Sequence, residues 1–432
     1  MSANYSLSRL ERAYLQKQPT FGTIPNASGT ASVSNSNACR FMRMELQNEV
    51  ALLERPDKTG TRSQEGMTSG RKVGRWSIEM SLAANGTAGT VPDCDPILVA
   101  MFGQTAAVGA GTVSVSSSTD ATPIVVTSPT HGIASGALEV VTIAGHAVNT
   151  NANGSWLAYA NSTTTLTLIG SSGNGAGAGG ATGTVSRVKL TYTFIDDITQ
   201  FTLWSFRTAA TLDQRVGNTC VVTEATFNLN QDVATWQANG DCLWVLRSKD
   251  FATADIYQLG GLTVNPATTP AEPTTPVTSG SIIPGFTGRF VAGASSTTAS
   301  VYAAAAVAFP TIRNATVRVQ TNNLLVRDTF GSYYPTMTEG DVRNVTLSFN
   351  IYDDDSVAVN ALKTWGDNKT PVDFVLNLGT VPGNTWIHYL KNVYLASHVL
   401  GDGQLRFDAS YADSRATTST LALKDEYSLI IA

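Results

Sequence analysis

The four histidines are the first side chains to consider for metal binding or proton transfer, because imidazole titrates near neutral pH and binds transition metals. His131 and His146 lie in a Gly/Ser/Thr-rich stretch, whereas His388 and His398 lie close together near the carboxyl end. No carboxylate pattern accompanies the second pair, and neither pair has metal-ligand spacing. The histidines therefore do not predict a metal centre.

The four cysteines also lack the short spacing of metal-ligand pairs. No secretory signal peptide is recognised in the sequence, which favours buried, reduced thiols in a cytosolic protein. A disulfide between two of them is left open by the sequence. The residues are Cys39, Cys94, Cys220 and Cys242.

Other sequence patterns that could indicate catalysis or ligand binding are equally weak. The run Asp353-Asp354-Asp355 lacks the Gly and the distal Glu of a Ca²⁺ loop, so the acidic start of a helix is the simpler interpretation. The Gly-rich stretch 173–183 lacks the Lys-Ser/Thr end of a phosphate-binding loop, and no Gly-x-Ser-x-Gly elbow of a hydrolase is found. Trp156 is left open as a sugar-binding platform. We expect no enzyme activity and no cofactor.

The composition favours surfaces that are covered in an assembly. Charged residues make up 14% of the chain, against about 25% in ordinary soluble domains. Charge is depleted at the cores of interfaces in the same way. The net charge of −5 predicts no general affinity for the phosphate backbone of nucleic acids. No apolar run approaches the ~20 residues of a membrane helix, so we expect a soluble protein without membrane contact.

One β-rich unit occurs twice in the sequence. Two long stretches with period-two alternation, Phe41–Leu82 and Ile312–Ile351, each predict a hairpin with one apolar and one polar face. Their polar connecting loops are 54–72 and 327–341. A short helix follows in each copy, with Asp95 or Asp355 as the expected N-cap. Further strands follow each helix. A repeated, half-exposed β unit indicates assembly.

The predicted fold class is mainly β, with two tandem β-sandwich or barrel domains that each carry a long hairpin and a short flanking helix. An N-terminal arm, with a short helix over Leu7–Gln16, precedes them. A small β domain interrupts the first copy, and its ends are expected to lie close together. The boundaries are 1–39 for the arm, 40–106 and 188–262 for the first domain, 107–187 for the insert, 263–300 for a Pro/Thr-rich linker and 301–432 for the second domain.

The order of these features resembles the tail tube protein (major tail protein) of long, flexible-tailed bacteriophages, the siphophages. The resemblance covers most of 40–105, 188–245 and 310–432, and the insert is similar to small β modules of phage tail and fibre proteins. The matching segments are Leu-Glu-Arg-Pro-Asp-Lys-Thr-Gly-Thr-Arg at 53–62, Gly-Arg-Lys at 70–72, Val-Pro-Asp-Cys-Asp-Pro at 91–96, Leu-Gly-Thr-Val-Pro-Gly-Asn-Thr-Trp at 378–386 and Asn-Val-Tyr-Leu at 392–395.

The resemblance implies a structural virion protein. Six copies of the unit would form a ring whose hairpins close into one wide inner β-barrel, and a duplicated chain would build that ring as a trimer with pseudo-sixfold symmetry. Stacked rings would make the hollow tail through which DNA is ejected into the host. The implied partners are further copies of the chain, tail terminator and distal tail proteins, and transiently the tape measure protein and DNA. The implied location is the phage tail, after assembly in the host cytoplasm.

Two groups of residues follow from this interpretation. The polar faces of the hairpins would line the channel, and their mixed charges and small polar side chains would not hold DNA tightly. The charged loops would contact the neighbouring ring. The predicted channel-lining residues are Arg43, Glu45, Gln47, Glu49, Ser77, Glu79, Thr316, Arg318, Gln320, Thr346, Ser348 and Asn350, and the predicted inter-ring residues are Arg55, Lys58, Arg62, Arg71, Arg327 and Asp328.

Alternatives to the tube subunit are left open by the sequence. One is a decoration or host-recognition protein on a virion, in which the insert carries the activity. Another is a bacterial surface adhesin built from β-sandwiches, which the missing signal peptide disfavours. The sequence also does not separate a trimeric ring from a hexamer in which only one copy of the unit lines the channel.

Overall fold

The structure is a computed structural model that describes residues 11–27, 30–31, 33–54, 66–109, 111–176, 183–207, 213–230, 232–247, 258–259, 262–263, 272–273, 278, 280–296, 298–396, 398–401, 403–412 and 426–432. These residues form a protein made mainly of β-strands, with three α-helices. The prediction of a mainly β fold is therefore confirmed.

The amino-terminal third contains the first long hairpin and the insert. Up to the first helix, the elements are Glu11–Gln18 (β1), Asn26–Ala27 (β2), Thr30–Ala31 (β3), Ala38–Cys39 (β4), Arg43–Leu53 (β5), Thr68–Ser81 (β6) and Asp95–Phe102 (α1). The next strands are Ala107–Val108 (β7), Thr112–Ser114 (β8), Ser117–Ser118 (β9), Val125–Thr127 (β10), Leu138–Ala144 (β11), Gly154–Ala160 (β12), Thr165–Leu168 (β13) and Thr184–Ser186 (β14).

The middle of the chain supplies further strands and the second helix. They are Leu190–Thr193 (β15), Gln200–Arg207 (β16), Asp213–Cys220 (β17), Glu224–Leu229 (β18), Thr235–Cys242 (β19), Trp244–Arg247 (β20), Gln258–Leu259 (β21), Leu262–Thr263 (β22), Arg289–Ala294 (β23), Ala299–Ala305 (α2) and Val307–Ala308 (β24).

The carboxyl-terminal part contains the second long hairpin and the third helix. Its elements are Ile312–Gln320 (β25), Asn323–Val326 (β26), Met337–Gly340 (β27), Asn344–Tyr352 (β28), Val357–Asp367 (α3), Val372–Val381 (β29), Asn384–Tyr394 (β30), His398–Gly401 (β31), Gln404–Ala412 (β32) and Tyr427–Ile431 (β33).

Three larger sheets contain most of the described strands, and three two-stranded sheets pair β2 with β3, β21 with β22 and β26 with β27. The largest has the path β24-β23-β29-β30-β32-β28-β25-β18-β19-β6-β5, with β31 on β32, and β33 between β30 and β15. A five-stranded sheet has the order β20-β17-β16-β1-β4. The insert forms a separate sheet with the order β8-β14-β11-β12-β13-β10-β9.

Both predicted long hairpins are present, as β5–β6 and β25–β28. Their alternating sequences place apolar side chains on one face, because successive side chains of a strand point to opposite sides. On β6, Trp76, Ile78 and Met80 are buried, and on β28, Val345, Leu347, Phe349 and Ile351 are buried. This face packs into the main hydrophobic core together with α1 and residues of α3.

The amino-terminal segment docks on the chain itself. The helix expected over Leu7–Gln16 is wrong for the described residues, since β1 pairs along its whole length with β16. Tyr14 packs into the small core that also contains Trp204, whereas the neighbouring Ala13 and Leu15 pack into the main core. Both sides of β1 are buried, and tertiary packing thus overrides the local preference for a helix.

Part of the expected linker belongs to the large sheet. β23 pairs with β29 over its whole length, from Arg289 opposite Asn377 to Ala294 opposite Val372. Phe290 and Ala292 enter the main core. The Pro/Thr-rich composition that predicted an extended linker therefore ends before β23.

The helix starts differ from the expected caps by one residue. Ser356, not Asp355, is the N-cap of α3, and its hydroxyl accepts a hydrogen bond from the N–H of Val359. Cys94 is the N-cap of α1, and Asp95 is the first residue of that helix. The Asp95 carboxylate is buried and binds the hydroxyl of Tyr192 at 2.6 Å and Nζ of Lys17 at 2.7 Å. It thereby links the helix start to two strands.

The insert begins and ends at adjacent points, as expected from the sequence. Val108 on β7 faces Leu190 on β15, and Thr112 on β8 faces Ser186 on β14. The described strands between these two points are β8 to β14. One face of its sheet encloses its own core, which includes Val126, Ile143 and Leu166.

Candidate functional site

The two long hairpins are joined into one continuous sheet. β18 pairs with β25 from Glu224 opposite Gln320 to Leu229 opposite Ala315. β18 also pairs with β19, and β19 pairs with β6. The result is a run of eight adjacent strands, β5-β6-β19-β18-β25-β28-β32-β31. We call the side of these strands that faces away from the core the polar face.

All twelve predicted channel-lining residues lie on this polar face, although their exposure differs. Arg43, Glu45, Gln47, Glu49 and Arg318 are exposed. Thr346 is only 8% exposed because it lies in the middle of the sheet, between Arg318 and Tyr411 on the neighbouring strands. The remaining six are half-buried: Ser77, Glu79, Thr316, Gln320, Ser348 and Asn350.

The polar face also contains residues that the sequence analysis did not assign to it. Glu224, Thr226 and Asn228 of β18 alternate with the buried residues Ala225, Phe227 and Leu229. This period-two pattern could have identified them. Further members from β6, β19 and β32 are Arg75, Gln237, Asn239, Arg406 and Asp408.

Arginines on the polar face are paired with carboxylates. Arg43 pairs with Glu45 on its own strand. Arg75 binds Glu49 at 2.8 Å, and Arg318 binds Glu224 at 2.6 Å. The hydrogen bond to Glu224 raises the pKa of Arg318 above its ordinary value. Exposed pairs of this kind contribute only ~0–1 kcal/mol each, so their main effect is to balance charge on the surface.

A cavity lies at one end of the polar face, between the first hairpin and β26. It has a volume of about 480 Å³ and is lined by Gln47, Trp76, Asn239 and Leu324, among others. Arg327 closes this end by an ion pair with Asp241, and Nε of Arg75 lies 4.0 Å from the same carboxylate. The predicted inter-ring residue Arg327 is therefore engaged within its own chain.

The loop between β26 and β27 is fastened to the first hairpin and β20. The N–H of Lys72 donates to the carbonyl of Tyr333 at 2.8 Å. Tyr334 packs edge-on against Trp244, with 5.6 Å between ring centroids. The Lys72 ammonium lies 5.5 Å from the Tyr334 ring and 6.0 Å from the Trp244 ring. The loop therefore has a fixed position on the amino-terminal half.

The other predicted inter-ring residues have different positions. Arg71 and Asp328 are exposed at the same end of the sheet as this loop. Arg55, Lys58 and Arg62 lie outside the described residues.

The eight-strand run ends in two edges. Among the described residues, β5 pairs only with β6, and β31 pairs only with β32. Apolar side chains are exposed along both edges: Met42 next to β5 is 60% exposed, and Leu400 on β31 is 61% exposed. Unpaired edges with apolar side chains are sites for pairing with another chain.

The insert docks on the carboxyl-terminal part of the large sheet. Leu138, Val140 and Leu157 of its outer face share a hydrophobic cluster with Ile387 and Tyr389 of β30. The amide of Asn377 donates to the carbonyl of Ser155 at 2.6 Å. Trp156 is only 6% exposed, and the Arg289 guanidinium lies over its ring. The interpretation of Trp156 as a sugar-binding platform is therefore wrong.

The cysteines and two of the three aspartates before α3 are held in structural contacts. All four cysteines are buried as free thiols. Burial raises the pKa of Cys39 well above its ordinary value and, together with the nearby Cys220, raises that of Cys242. Asp353 binds Lys363 at 2.9 Å, and Asp354 accepts from the N–H of Ser356. No group of three or more His, Cys, Asp or Glu suited to a metal ion is present in the described ranges.

Within the part of the chain that the structure describes, no helix combines the length and apolar character needed to cross a membrane. Comparison of the sequence with protein-family models and with curated proteins finds no match.

Proposed function

We propose that the chain is a structural subunit of a phage tail tube, in which copies join side by side into rings and the rings stack. The observation that carries the proposal is the eight-strand polar face, whose outer strands β5 and β31 each pair with a single strand within the part of the chain that the structure describes. A sheet that closes on itself through neighbouring copies removes both edges. Closure by rotation is an ordinary form of head-to-tail assembly.

The strand order supports a duplicated unit within this sheet. The first half contributes the block β18-β19-β6-β5, and the second contributes β31-β32-β28-β25. Each block contains a long hairpin and, beside it, a shorter hairpin from later in the same half of the sequence. The first strand of one block pairs with the last strand of the other, as β18 does with β25. Repeating that joint between chains would pair β31 of one copy with β5 of the next.

The register of the proposed pairing between β31 of one copy and β5 of the next can be derived from the pairing of β18 with β25 inside the chain. Phe227 of β18 faces Trp236, and His398 of β31 faces Phe407. Trp236 and Phe407 in turn face Met80 and Phe349. These two residues are equivalent when the return strands 75–82 and 344–351 are aligned position by position. β31 therefore corresponds to β18 residue by residue. The equivalent positions are Asn228 with Val399 and Leu229 with Leu400.

The same comparison applies to the other edge. Arg43 faces Glu79 on β6, and Thr316 faces Ser348 on β28, where Glu79 and Ser348 are equivalent. Arg43 is therefore equivalent to Thr316, and Met42 to Ala315. Asn228 faces Thr316 in the chain, so Val399 of one copy would face Arg43 of the next. Leu400 would face Met42, and the two exposed apolar edge residues would cover each other.

The size of such a ring fits a channel for DNA. Three copies of eight strands give 24 strands. At about 4.8 Å per strand the barrel is about 37 Å across, and strand tilt widens it further. The paired arginines and the acidic balance of the lining would keep the phosphate backbone from binding tightly. DNA, and the tape measure protein before it, are the proposed occupants of the lumen.

Electron microscopy of the purified chain tests the proposal. The expected result is hollow tubes, or stacked rings with threefold symmetry, of constant diameter. A Leu400→Lys variant places a charge on the β31 edge and should remain monomeric, whereas Val357→Lys, at a 90% exposed position on α3, should assemble normally. Isolated monomers of the wild-type chain in every salt condition would contradict the proposal.

A further inference from the structure

One apolar side chain stands out at the end of the molecule that carries the β26–β27 loop. Phe330 lies at the tip of this loop and is fully exposed. The next residue, Gly331, has a φ of 83°, a left-handed conformation that a glycine adopts without strain. The hydroxyls of Thr329 and Thr336 lie 2.7 Å apart across the loop, and Tyr333 fastens it to Lys72. Phe330 is therefore presented on an ordered support.

An apolar cavity lies at the opposite end of the same strands. Its volume is about 400 Å³, and its lining includes Phe286, Phe290, Phe309 and Leu376. Leu229 and Ala315, which face each other at this end of β18 and β25, also line it. The other end of these strands, at Glu224 and Gln320, is the end from which β26 continues. β25 spans about 25 Å, so Phe330 cannot reach the cavity of its own chain.

Charge at the two ends is complementary. Asp328, two residues before Phe330, is exposed. Arg289 and Arg313 line the cavity. Nη1 of Arg289 is buried and has no hydrogen-bond partner among the described residues. The guanidinium of Arg289 stacks on Trp156, whereas Arg313 is exposed. Arg313 is therefore the cavity guanidinium that an incoming carboxylate can reach, and a carboxylate is the natural partner of a guanidinium.

We propose that Phe330 of one copy inserts into this cavity of a second copy stacked on it, with Asp328 facing the cavity arginines. A projection at one end and a matching cavity at the other give a head-to-tail contact that does not close and therefore propagates into a fibre. This inference rests on the proposed tube function and assigns the axial contact between rings. It leaves the lateral contact, through β5 and β31, unchanged.

Two variants block the two sides of the contact separately. Phe330→Ala removes the projection and keeps the cavity. Ala308→Trp keeps the projection and fills the cavity, since Ala308 lines it and is exposed. Each variant alone should form closed rings, and the critical concentration for stacking these rings into tubes should rise about tenfold or more. Val342→Ala, at a 79% exposed position near the same end as Phe330, is the matched control and should polymerise like the wild type.

Mixing the two variants gives the decisive result. The intact projection of Ala308→Trp rings can enter the intact cavity of Phe330→Ala rings, but neither end of the resulting pair can continue. Sedimentation should therefore show particles of twice the ring mass and no long tubes. Unchanged polymerisation of Phe330→Ala, or a mixture that stays as single rings, would overturn the assignment. Failure of the wild-type chain to form tubes would instead count against the tube function itself.

Discussion

The guanidinium of Arg289 stacks on the indole ring of Trp156, with 3.9 Å between its Cζ atom and the ring centroid. Arg289 belongs to β23 of the large sheet, and Trp156 belongs to β12 of the insert. The contact is part of a larger apolar interface that includes Leu157 and Tyr389. A cation–π contact that is withdrawn from water contributes about 2 kcal/mol or more. The insert is thus a packed part of the fold, and not a loosely tethered appendage.

Deleting the insert should destabilise the rest of the chain. Replacing residues 112–186 by a short turn is geometrically allowed, because Thr112 and Ser186 face each other. The deletion would expose Ile387 and Tyr389, which are buried against the insert. We expect a lower melting temperature and binding of a hydrophobic dye, measured by calorimetry and fluorescence. A deletion variant that melts like the wild type and binds no dye would show that the interface contributes nothing.

A buried ion pair predicts a large effect of one substitution. Nζ of Lys391 binds Oδ2 of Asp373 at 2.7 Å, and both side chains are almost completely buried. Lys391→Met should cost about 3–5 kcal/mol of unfolding free energy, because it leaves the carboxylate buried without its cation. The matched control is Lys363→Met, which breaks the more accessible pair with Asp353 and should cost about 1 kcal/mol or less. Urea denaturation measures both, and equal effects of the two variants would contradict this account.

His388 predicts a loss of stability in acid. Burial lowers its pKa to about 3, whereas an unfolded histidine titrates near 6.5. Between these values only the unfolded chain binds the proton, so the free energy of unfolding falls by about 1.4 kcal/mol per pH unit as the pH decreases from about 6.5 to 3. His388→Phe, which also loses the hydrogen bond to Tyr427, should flatten this slope in urea denaturation at several pH values.

Two other histidines set the background for this measurement. Burial also lowers the pKa values of His131 and His146, so part of the acid dependence should persist in the variant. An identical slope in the wild type and in His388→Phe would mean that His388 is protonated in the folded protein.

Paired cysteines can test the lateral register. Arg43→Cys together with Val399→Cys places two thiols opposite each other only if β31 of one copy pairs with β5 of the next. Mild oxidation should then give covalent trimers on a denaturing gel. The four native thiols are buried and should not compete. Loss of the exposed Arg43–Glu45 pair should cost little.

The control for that experiment lies within the chain. Thr316 and Asn228 face each other, with 3.4 Å between Oγ1 and Oδ1. Asn228→Cys with Thr316→Cys should therefore form a disulfide that leaves the chain at monomer mass. Cross-linking in the control combined with monomers alone for Arg43→Cys/Val399→Cys would exclude the proposed register.

The sequence predicts the long hairpins well, because each has one solvent-facing and one buried face. Polar and apolar residues therefore alternate with a clear period of two. It does not predict β1, since Ala13, Tyr14 and Leu15 are all buried and no alternation remains. The twelve polar-face residues could be found from this alternation alone. The alternation does not show which strands become neighbours, because the pairing of β18 with β25 joins segments about 90 residues apart. The ion pair of Arg327 with Asp241 was not predicted either, because these two residues are also far apart in the sequence.

The pairing of β18 with β25 links the two hairpins within a single polypeptide. Such a joint forms when the chain folds, and dilution cannot open it. Contacts between separate chains obey mass action and weaken as the protein becomes scarce. A subunit that carries two units on one chain would halve the number of concentration-dependent joints in each ring, so that assembly could begin at a lower supply of protein.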